Sequence, residues 1–227
     1  MPRRPRIHIP GMPVHVIQRG HNRNACFFNH ADYLIYRNWL GEALHKTGCL
    51  LHAYVLMGNH VHLLLTPPAE DSVAQLAISL GRRYVQYINK HYDRIGTLWQ
   101  GRYKSSLVTT DDYFLSCQRY IELNPVRAAL TDDPAYYRWS SYWANGLGQP
   151  DPLVTPHQIY LGLANNEPER LAAYRALFNI ALNDKVVDDI RIAINQGQPL
   201  GRESFLDEIA KSTATPRHIK PRGRPHK

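Results

Sequence analysis

Two apolar runs separated by a two-residue turn constrain the fold of this chain more than any other feature. Residues 51–57 (LHAYVLM) and 60–66 (HVHLLLT) each have the length and apolar character of a β-strand, and Gly58-Asn59 between them fits a tight hairpin turn. Alternate side chains of a strand point to opposite faces, so His60 and His62 share one face. The sequence therefore predicts a rigid hairpin that holds two imidazoles side by side.

A histidine pair in this pattern has two interpretations. The histidines can be packed side chains satisfied by backbone groups or water, or they can be metal ligands. Residues 113–125 (YFLSCQRYIELNP) bear on the choice, because they predict a helix that stops at its proline and carries Tyr120 and Asn124 one turn apart on one face. With the histidines these make a nitrogen-nitrogen-oxygen set with open coordination positions. Such a set suits a divalent ion that polarises a phosphate oxygen beside a nucleophile.

Tyr120 has a competitor for the role of nucleophile. Tyr113 lies two helical turns earlier, on nearly the same face. The residue one turn after Tyr113 is Cys117, a poor partner for a hard ion, whereas Asn124 follows Tyr120 and offers an oxygen. A protonated phenol is a weak nucleophile, so metal-assisted activation of the phosphate must do much of the work. The pattern favours Tyr120 and attack on a phosphodiester, and geometry alone leaves Tyr113 open.

Hydrophobic periodicity divides the first two-thirds of the chain into seven elements in the order β-α-β-β-α-β-α. The predicted strands are 14–19, 51–57, 60–66 and 105–109, and the predicted helices are 31–47, 72–91 and 112–124. This order is the ferredoxin-like split βαβ pattern, an antiparallel sheet with helices against one face. The final helix can then lay Tyr120 near the histidines. The predicted fold class is α+β.

The chain is basic, with a formal charge of +8 at pH 7 and a pI of about 9.5, which favours binding to polyanions. Many cations surround the histidines and Tyr120 in sequence and alternate with aromatic residues. This mixture suits single-stranded DNA, where cations follow the phosphates and rings stack on bases, although each residue singly also fits an ordinary surface or core position. The predicted DNA-binding residues of this region are Arg19, Asn22, Arg23, Arg82, Arg83, Lys90, Arg94, Trp99, Arg102 and Lys104.

Cysteine usage and hydropathy indicate the compartment. Cys26, Cys49 and Cys117 form neither an even disulfide framework nor a C-x-x-C metal motif, which indicates a reducing environment. No run is long and apolar enough to be a signal peptide or a membrane span. We therefore expect a soluble cytoplasmic protein that does not associate with a membrane.

These motifs resemble a known family. A histidine-hydrophobe-histidine strand followed by a helix with Tyr-Ile-Glu-Leu-Asn-Pro is similar to the single-tyrosine HUH nucleases, specifically the REP-associated tyrosine transposases related to small bacterial insertion-sequence transposases. Further matching stretches are 19–23 (RGHNR), 98–103 (LWQGRY) and 139–142 (WSSY). The resemblance follows the family's order over roughly the first two-thirds of the chain.

The resemblance implies a set of roles. His60, His62 and Asn124 would hold Mg²⁺ or Mn²⁺, and Tyr120 would become joined to a DNA 5′ phosphate. The implied activity is a metal-dependent single-strand endonuclease and strand-transferase for hairpin or palindromic DNA, acting as a monomer or homodimer near the bacterial nucleoid. Two alternatives stay open: a non-catalytic protein that binds and regulates DNA hairpins, and an HUH initiator of replication or plasmid transfer.

The character of the chain changes after residue 145. Residues 146–152 (GLGQPDP) are typical of a linker, and short helices are predicted at 155–163, 168–182 and 204–210. The predicted domains are an HUH nuclease domain at 1–145, a helical extension at 146–215 and a basic tail at 216–227.

The predicted tail is too polar and too rich in proline to fold alone. Its Arg222-Gly223-Arg224 core resembles an AT-hook, an extended segment that enters the narrow minor groove of A·T-rich DNA. A solvated basic tail is the alternative interpretation. In either case Arg222 and Arg224 are expected to raise DNA affinity.

Overall fold

The computed structural model describes residues 6–108 and 112–213. The strands are β1 (Val14–Arg19), β2 (Leu50–Met57), β3 (His60–Thr66) and β4 (Lys104–Leu107). The helices are α1 (His30–Thr47), α2 (Ser72–His91), α3 (Asp112–Glu122), α4 (Asn124–Arg127), α5 (Tyr142–Asn145), α6 (Gln158–Leu161), α7 (Glu167–Phe178), α8 (Asp184–Gln196) and α9 (Glu203–Thr213). Within the described ranges, no helix combines the length and the apolar character needed to cross a bilayer.

The four strands form one antiparallel sheet in the order β2-β3-β1-β4, which confirms the predicted ferredoxin-like split βαβ topology. Met57 pairs with His60 across the two-residue turn, and this pairing fixes the register of the hairpin. In the next pair, Ile17 of β1 lies opposite His62 and Arg19 lies opposite His60. The histidine strand has a neighbour on each side, so the directions of its side chains are fixed.

One face of the sheet is covered by α1 and α2. Side chains of this face such as Val16 and Val61 are buried against the two helices. α1 begins with a capping box, in which the Asn29 side chain accepts from the backbone N–H of Asp32 and the Asp32 carboxylate accepts from that of Asn29. It ends at Gly48 in the left-handed conformation. This face forms the apolar core that supports the sheet.

The opposite face is covered as well, by α3 and α8. Val55 and Leu64 of the sheet pack there with Ile121 of α3 and Ile190 of α8. Because side chains alternate along β3, His62 projects from this second face. The predicted final helix therefore lies over the histidine side of the sheet.

The helix predicted for residues 112–124 ends two residues earlier, and a separate helical turn follows it. α3 ends at Glu122, and Pro125 lies in the first turn of α4, where its missing N–H is not needed. Pro125 thus redirects the chain instead of ending its helical path. The new turn brings Arg127 back onto α3, where it donates to the carbonyl of Tyr120.

The C-terminal part contains one helix that the sequence analysis did not predict. The predicted ranges 155–163, 168–182 and 204–210 correspond to α6, α7 and α9 with shifted ends. The 13-residue α8 has no predicted counterpart. Asn183 caps its first turn and Gly197 follows its last turn in the left-handed conformation.

Backbone and side-chain contacts attach the C-terminal part to the sheet. Leu200 N–H donates to the carbonyl of Leu107 in β4 at 2.7 Å. Within the predicted linker, the Asp151 carboxylate accepts from Tyr54 of β2 at 2.7 Å and from Arg37 of α1 at 3.0 Å. Residues before and after position 145 thus share one packed structure.

Candidate active site

The two histidines of the H-x-H motif stand on the sheet face that α3 covers. His62 is 2% exposed, whereas His60, at the start of β3, is half-buried. Their ring centroids are 5.1 Å apart. The predicted placement of two imidazoles side by side on one strand is confirmed.

Each of these histidines is held at its Nδ1 atom. His60 Nδ1 lies 2.6 Å from the side-chain oxygen of Asn59, and since that oxygen only accepts, the nitrogen carries the proton. His62 Nδ1 lies 2.8 Å from Nε2 of His15, a buried residue of β1. Both Nε2 atoms are thereby left for a further partner, as in histidines that bind a metal through one nitrogen and are oriented through the other.

Tyr120 projects from α3 toward the same histidines. Its side chain is 6% exposed, and its ring centroid lies 6.0 Å from those of both His15 and His62. Asn124 donates from its amide nitrogen to the backbone carbonyl of Tyr120 at 3.1 Å. Asn124 also lies close enough to His60 for its side chain to act on the pKa of that imidazole, which it raises against the larger lowering by burial. The four side chains that the sequence assigned to one site are therefore neighbours.

Tyr113, the alternative nucleophile, packs elsewhere. It is partly buried against the apolar cluster formed by α3, α8 and the second sheet face. In the described part of the chain, the ring contacts with His15 and His62 are made by Tyr120 and not by Tyr113. The structure thus distinguishes two tyrosines that helix geometry alone left equivalent.

Two imidazole nitrogens and one amide oxygen are the donors that this site offers to a metal ion. Residues 6–108 and 112–213 contain no group of three His, Cys, Asp or Glu side chains placed to hold a metal. The donor set therefore fits an open catalytic site better than a closed structural one, with water or phosphate oxygens in the remaining positions. Imidazole and amide donors together suit a divalent ion such as Mn²⁺.

Burial keeps the three histidines of the site neutral. Desolvation lowers the pKa of His60 to about 4 and that of His15 to about 3, and it lowers the pKa of His62 well below its usual value. The positive charges of Arg19 and Arg127 contribute to this lowering at His60 and His62, after desolvation. Neutral imidazoles can bind a metal without first releasing a proton.

Arg19 and Arg127 bring positive charge to the site from different elements. Arg19, at the end of β1, is half-buried and lies opposite His60 in the sheet. Arg127, at the end of α4, is exposed, and its guanidinium carbon lies 3.8 Å from the centre of the Tyr120 ring. Arg19 was predicted from the sequence as a DNA-binding residue, whereas Arg127 and His15 were not predicted.

The predicted DNA-binding residues Asn22 and Arg23 lie in a short loop beside the site. Both are exposed, with left-handed φ angles of 51° and 61°. Asn59, which orients His60, donates from its side-chain amide to the carbonyl of Arg23 at 3.1 Å. This hydrogen bond attaches the loop to the hairpin that carries the histidines. Left-handed backbone at residues other than glycine is costly and concentrates at functional sites.

Four predicted cations lie at the same end of the sheet as the site. α2 runs toward this end and β4 starts from it, so this end includes Lys90, Arg94, Arg102 and Lys104. Lys104 donates to the side-chain oxygen of Asn195 in α8 at 2.7 Å. Arg94 lies 5.3 Å from the ring of Phe28, which is exposed. Basic and aromatic side chains are thus gathered around this end of the molecule.

The other predicted DNA-binding residues have different surroundings. Arg82 and Arg83 are exposed on α2, across the sheet from the site, and Arg83 pairs with a glutamate of α1. Trp99 is 5% exposed and packs in the core under α1 and α2, so its ring cannot stack on a base. Arg222 and Arg224 of the predicted tail lie outside the described residues.

A family model described as transposase IS200 like matches residues 8–124, slightly more than half of the chain. The match spans the hairpin and the helix of the site. No curated protein matches the chain.

Several solved structures are similar to parts of the chain, and three of them illustrate the range. A REP-associated tyrosine transposase bound to a REP hairpin has a TM-score of 0.57 at 16% identity, covering 69% of this chain and 93% of that chain. A provisionally assigned transposase from Deinococcus radiodurans R1 has a TM-score of 0.38 at 26% identity, covering 53% and 95%. A bacterial tRNA(His) guanylyltransferase-like protein in complex with GTP has a TM-score of 0.37 at 14% identity, covering 57% and 72%. Only the first of these likenesses is high enough to show a shared fold.

Proposed function

The chain belongs to the IS200-like transposase family, and from this premise we propose that it is a metal-dependent HUH endonuclease and strand-transferase that acts on single-stranded hairpin DNA. The observation that supports this proposal is the position of Tyr120 beside His62, with Asn124 one turn after Tyr120 and close to His60. A phenol, two neutral imidazoles and an amide in one place are suited to nucleophilic attack on a phosphodiester.

In the proposed reaction, the phenolic oxygen of Tyr120 attacks the scissile phosphorus. A bond forms between that oxygen and phosphorus while the bond from phosphorus to the 3′ oxygen breaks. The phenolic proton passes to water and the departing 3′ oxygen takes up a proton, so the step is balanced. The 5′ phosphate remains on Tyr120 as a diester, and a second 3′ hydroxyl can attack it to join new ends.

His60, His62 and Asn124 would hold the divalent ion through the two available Nε2 atoms and the amide oxygen. The ion, when bound, polarises a phosphate oxygen. Asn59 and His15 orient the imidazoles by hydrogen bonds to their Nδ1 atoms. Because this donor set is uncharged and lies beside two arginines, the free protein should bind the ion weakly. The DNA phosphate would supply the missing negative ligand.

The similar transposase structure and the charge distribution support a hairpin substrate. That transposase is bound to a REP hairpin. In this chain, Arg19, Arg23, Arg94 and Arg102 are gathered at the site end of the sheet, a distribution that suits contacts with a single strand. We expect the strand to cross this end with its scissile phosphate at Tyr120. The proposed setting is bacterial cytoplasm near the nucleoid, with the basic tail adding affinity for A·T-rich duplex.

Trapping of a covalent adduct tests the proposal. The wild type, given Mn²⁺ and a hairpin oligonucleotide with single-stranded flanks, should form an SDS-stable adduct that is prevented by excess chelator. Tyr120→Phe should abolish the adduct and leave DNA affinity nearly intact, because only the nucleophilic oxygen is removed. Tyr113→Phe is the matched control and should retain activity.

Two results would overturn this assignment. Loss of the adduct in Tyr113→Phe with full activity in Tyr120→Phe would assign the role of nucleophile to Tyr113. Tight hairpin binding by the wild type without any adduct would favour the non-catalytic binding protein.

A further inference from the structure

Arg127 is an exposed arginine that is folded onto the ring of Tyr120. Its guanidinium carbon lies 3.8 Å from the ring centre, and its Nη1 donates to the backbone carbonyl of Tyr120 at 3.2 Å. Pro125 lies in the first turn of α4, and this helical turn directs Arg127 back over α3. Among the ion pairs of residues 6–108 and 112–213, none joins Arg127 to a carboxylate. Cation–π stacking at an exposed site is weak and does not neutralise the cation. The positive charge of Arg127 therefore remains beside the proposed nucleophile.

Arg127 and Arg19 place two positive charges around the same small volume. Arg127 lies 3.8 Å from the centre of the Tyr120 ring, and Arg19 lies opposite His60 in the sheet. Among the described residues, the ion pairs include neither of these two arginines. The surroundings of the nucleophile are therefore suited to an anion.

We propose that Arg127 is a catalytic residue that binds a non-bridging oxygen of the scissile phosphate and stabilises the negative charge on it while Tyr120 attacks. This inference rests on the proposed function. A guanidinium presents a planar fork of N–H donors that matches two phosphate oxygens. Donors that are fixed before the reaction stabilise developing charge most effectively. The contacts of Arg127 with Tyr120 fix the fork beside the nucleophile, and Arg127 gives up no proton.

A role in packing alone predicts different behaviour. If Arg127 only supported the ring of Tyr120, its removal would slow cleavage equally for a charged and for an uncharged phosphate. If Arg127 binds the phosphate charge, its removal should matter only when that charge is present. The charge of the scissile group is therefore the variable to change.

The experiment combines two substrates with three variants. One hairpin oligonucleotide carries the natural phosphate at the scissile position, and the other carries a methylphosphonate diester, which has no negative charge. The variants are Arg127→Ala, Arg127→Lys and Arg138→Ala. Arg138 is the matched control, an exposed arginine that lies 4.7 Å from the ring of Trp139 instead of that of Tyr120. Single-turnover adduct formation with saturating protein gives the rate, and a titration gives the DNA affinity.

On the natural phosphate, Arg127→Ala should slow adduct formation by about 100-fold or more, with DNA affinity changed by less than about five-fold. Arg127→Lys should be intermediate, because it keeps the charge but not the fork. Arg138→Ala should match the wild type. On the methylphosphonate, the rate of Arg127→Ala should lie within about three-fold of the wild-type rate. On the natural phosphate, added guanidinium ion should raise the rate of Arg127→Ala by about ten-fold.

Three outcomes would overturn the inference: a full rate in Arg127→Ala, an equal loss on both diesters, or no rescue by guanidinium. If no protein reacts with the methylphosphonate, rescue of Arg127→Ala by guanidinium on the natural phosphate tests the inference instead. If Arg127→Ala does not fold, Arg127→Lys replaces it as the test variant, and a rate of Arg127→Lys equal to that of the wild type would overturn the inference. Absence of an adduct with the wild type itself would refute the proposed function, whereas a wild-type adduct with an unimpaired Arg127→Ala refutes only the role of Arg127.

Discussion

Replacing Glu122 with glutamine should change the pH dependence of stability in a defined direction. Glu122 lies on α3 two residues after Tyr120 and is 0% exposed. One carboxylate oxygen accepts from the Ser141 hydroxyl at 2.5 Å and from the Asn145 amide at 2.8 Å. The other accepts from the Tyr174 hydroxyl at 2.7 Å. This carboxyl group therefore ties the helix of the proposed nucleophile to two later segments of the chain.

The magnitude follows from the burial of Glu122. Burial raises the pKa of this carboxyl group from 4.5 to about 7, because desolvation outweighs the three hydrogen bonds to the charged form. The native protein then holds a proton that the unfolded chain releases above pH 4.5. The associated stabilisation is fully present below that pH and is lost as the pH rises through 7. At about 1.4 kcal/mol per pH unit, the loss amounts to about 3 kcal/mol.

Glutamine is neutral throughout this range and can keep most of the network. Its oxygen can accept from Ser141 and Asn145, and its amide nitrogen can donate to the Tyr174 oxygen. We expect wild type and Glu122→Gln to have similar free energies of unfolding near pH 5, and the variant to be more stable by up to about 3 kcal/mol near pH 8.5. Urea unfolding at both pH values measures the difference. The contributions of titrating groups that both proteins share cancel in this difference in free energy.

Two controls define the result. Glu208→Gln, at an exposed position of α9, should change the stability little at either pH. Glu122→Ala should cost about 3 kcal/mol or more near pH 5, because three buried donors lose their acceptor, and less near pH 8.5, where the wild type has itself lost stability. A stability difference between wild type and Glu122→Gln that does not change with pH, or that favours the variant more at low pH, would refute the reasoning.

Three further predictions concern the metal site, the loop beside it and the response to acid. His15→Leu should weaken Mn²⁺ binding to the protein-DNA complex by about ten-fold or more, and His15→Gln should restore part of that affinity, because its side-chain oxygen can accept from His62 Nδ1. Electron paramagnetic resonance of Mn²⁺ measures both affinities. Equal Mn²⁺ affinities in the wild type and His15→Leu would exclude an orienting role for His15. Gly20→Ala should destabilise the protein by about 2 kcal/mol or more, measured by urea unfolding, because a Cβ there would lie 2.1 Å from the carbonyl oxygen of Asn24. Burial lowers the pKa of His52 from 6.5 to about 4, so the contribution of the neutral imidazole to stability is lost as the pH falls through that range. The free energy of unfolding of a His52→Gln variant, measured by urea unfolding, should therefore fall less steeply with acid than that of the wild type.

The sheet and the histidine pair could be predicted because both depend on local alternation of side chains. The position of His15 depends instead on how β1 pairs with β3. With Ile17 opposite His62, His15 becomes the diagonal neighbour of His62, and no local pattern fixes that register. Tyr120 could be preferred over Tyr113 through the residue one turn later and through the family resemblance, and the packing of α3 on the sheet then separated the two tyrosines.

Other features were missed for different reasons. Pro125 is a valid stop signal, but nothing local shows that the chain turns into α4 and carries Arg127 back over the site. For α8 the signals were present, since Asn183 and Gly197 mark its two ends. Trp99 illustrates the opposite error, because an aromatic residue among cations fits a DNA contact by composition but is buried in the core.

Tyr120 lies beside histidines of its own chain, so the proposed nucleophile and all three proposed metal donors belong to a single polypeptide. With one nucleophile per chain, as proposed, each chain would hold one 5′ end at a time, and a single turnover would yield at most one adduct per chain. Excision of a DNA segment needs two cuts, so it requires either two chains acting together or two successive cycles by one. The stoichiometry of strand exchange is thus determined by how many copies assemble on the DNA.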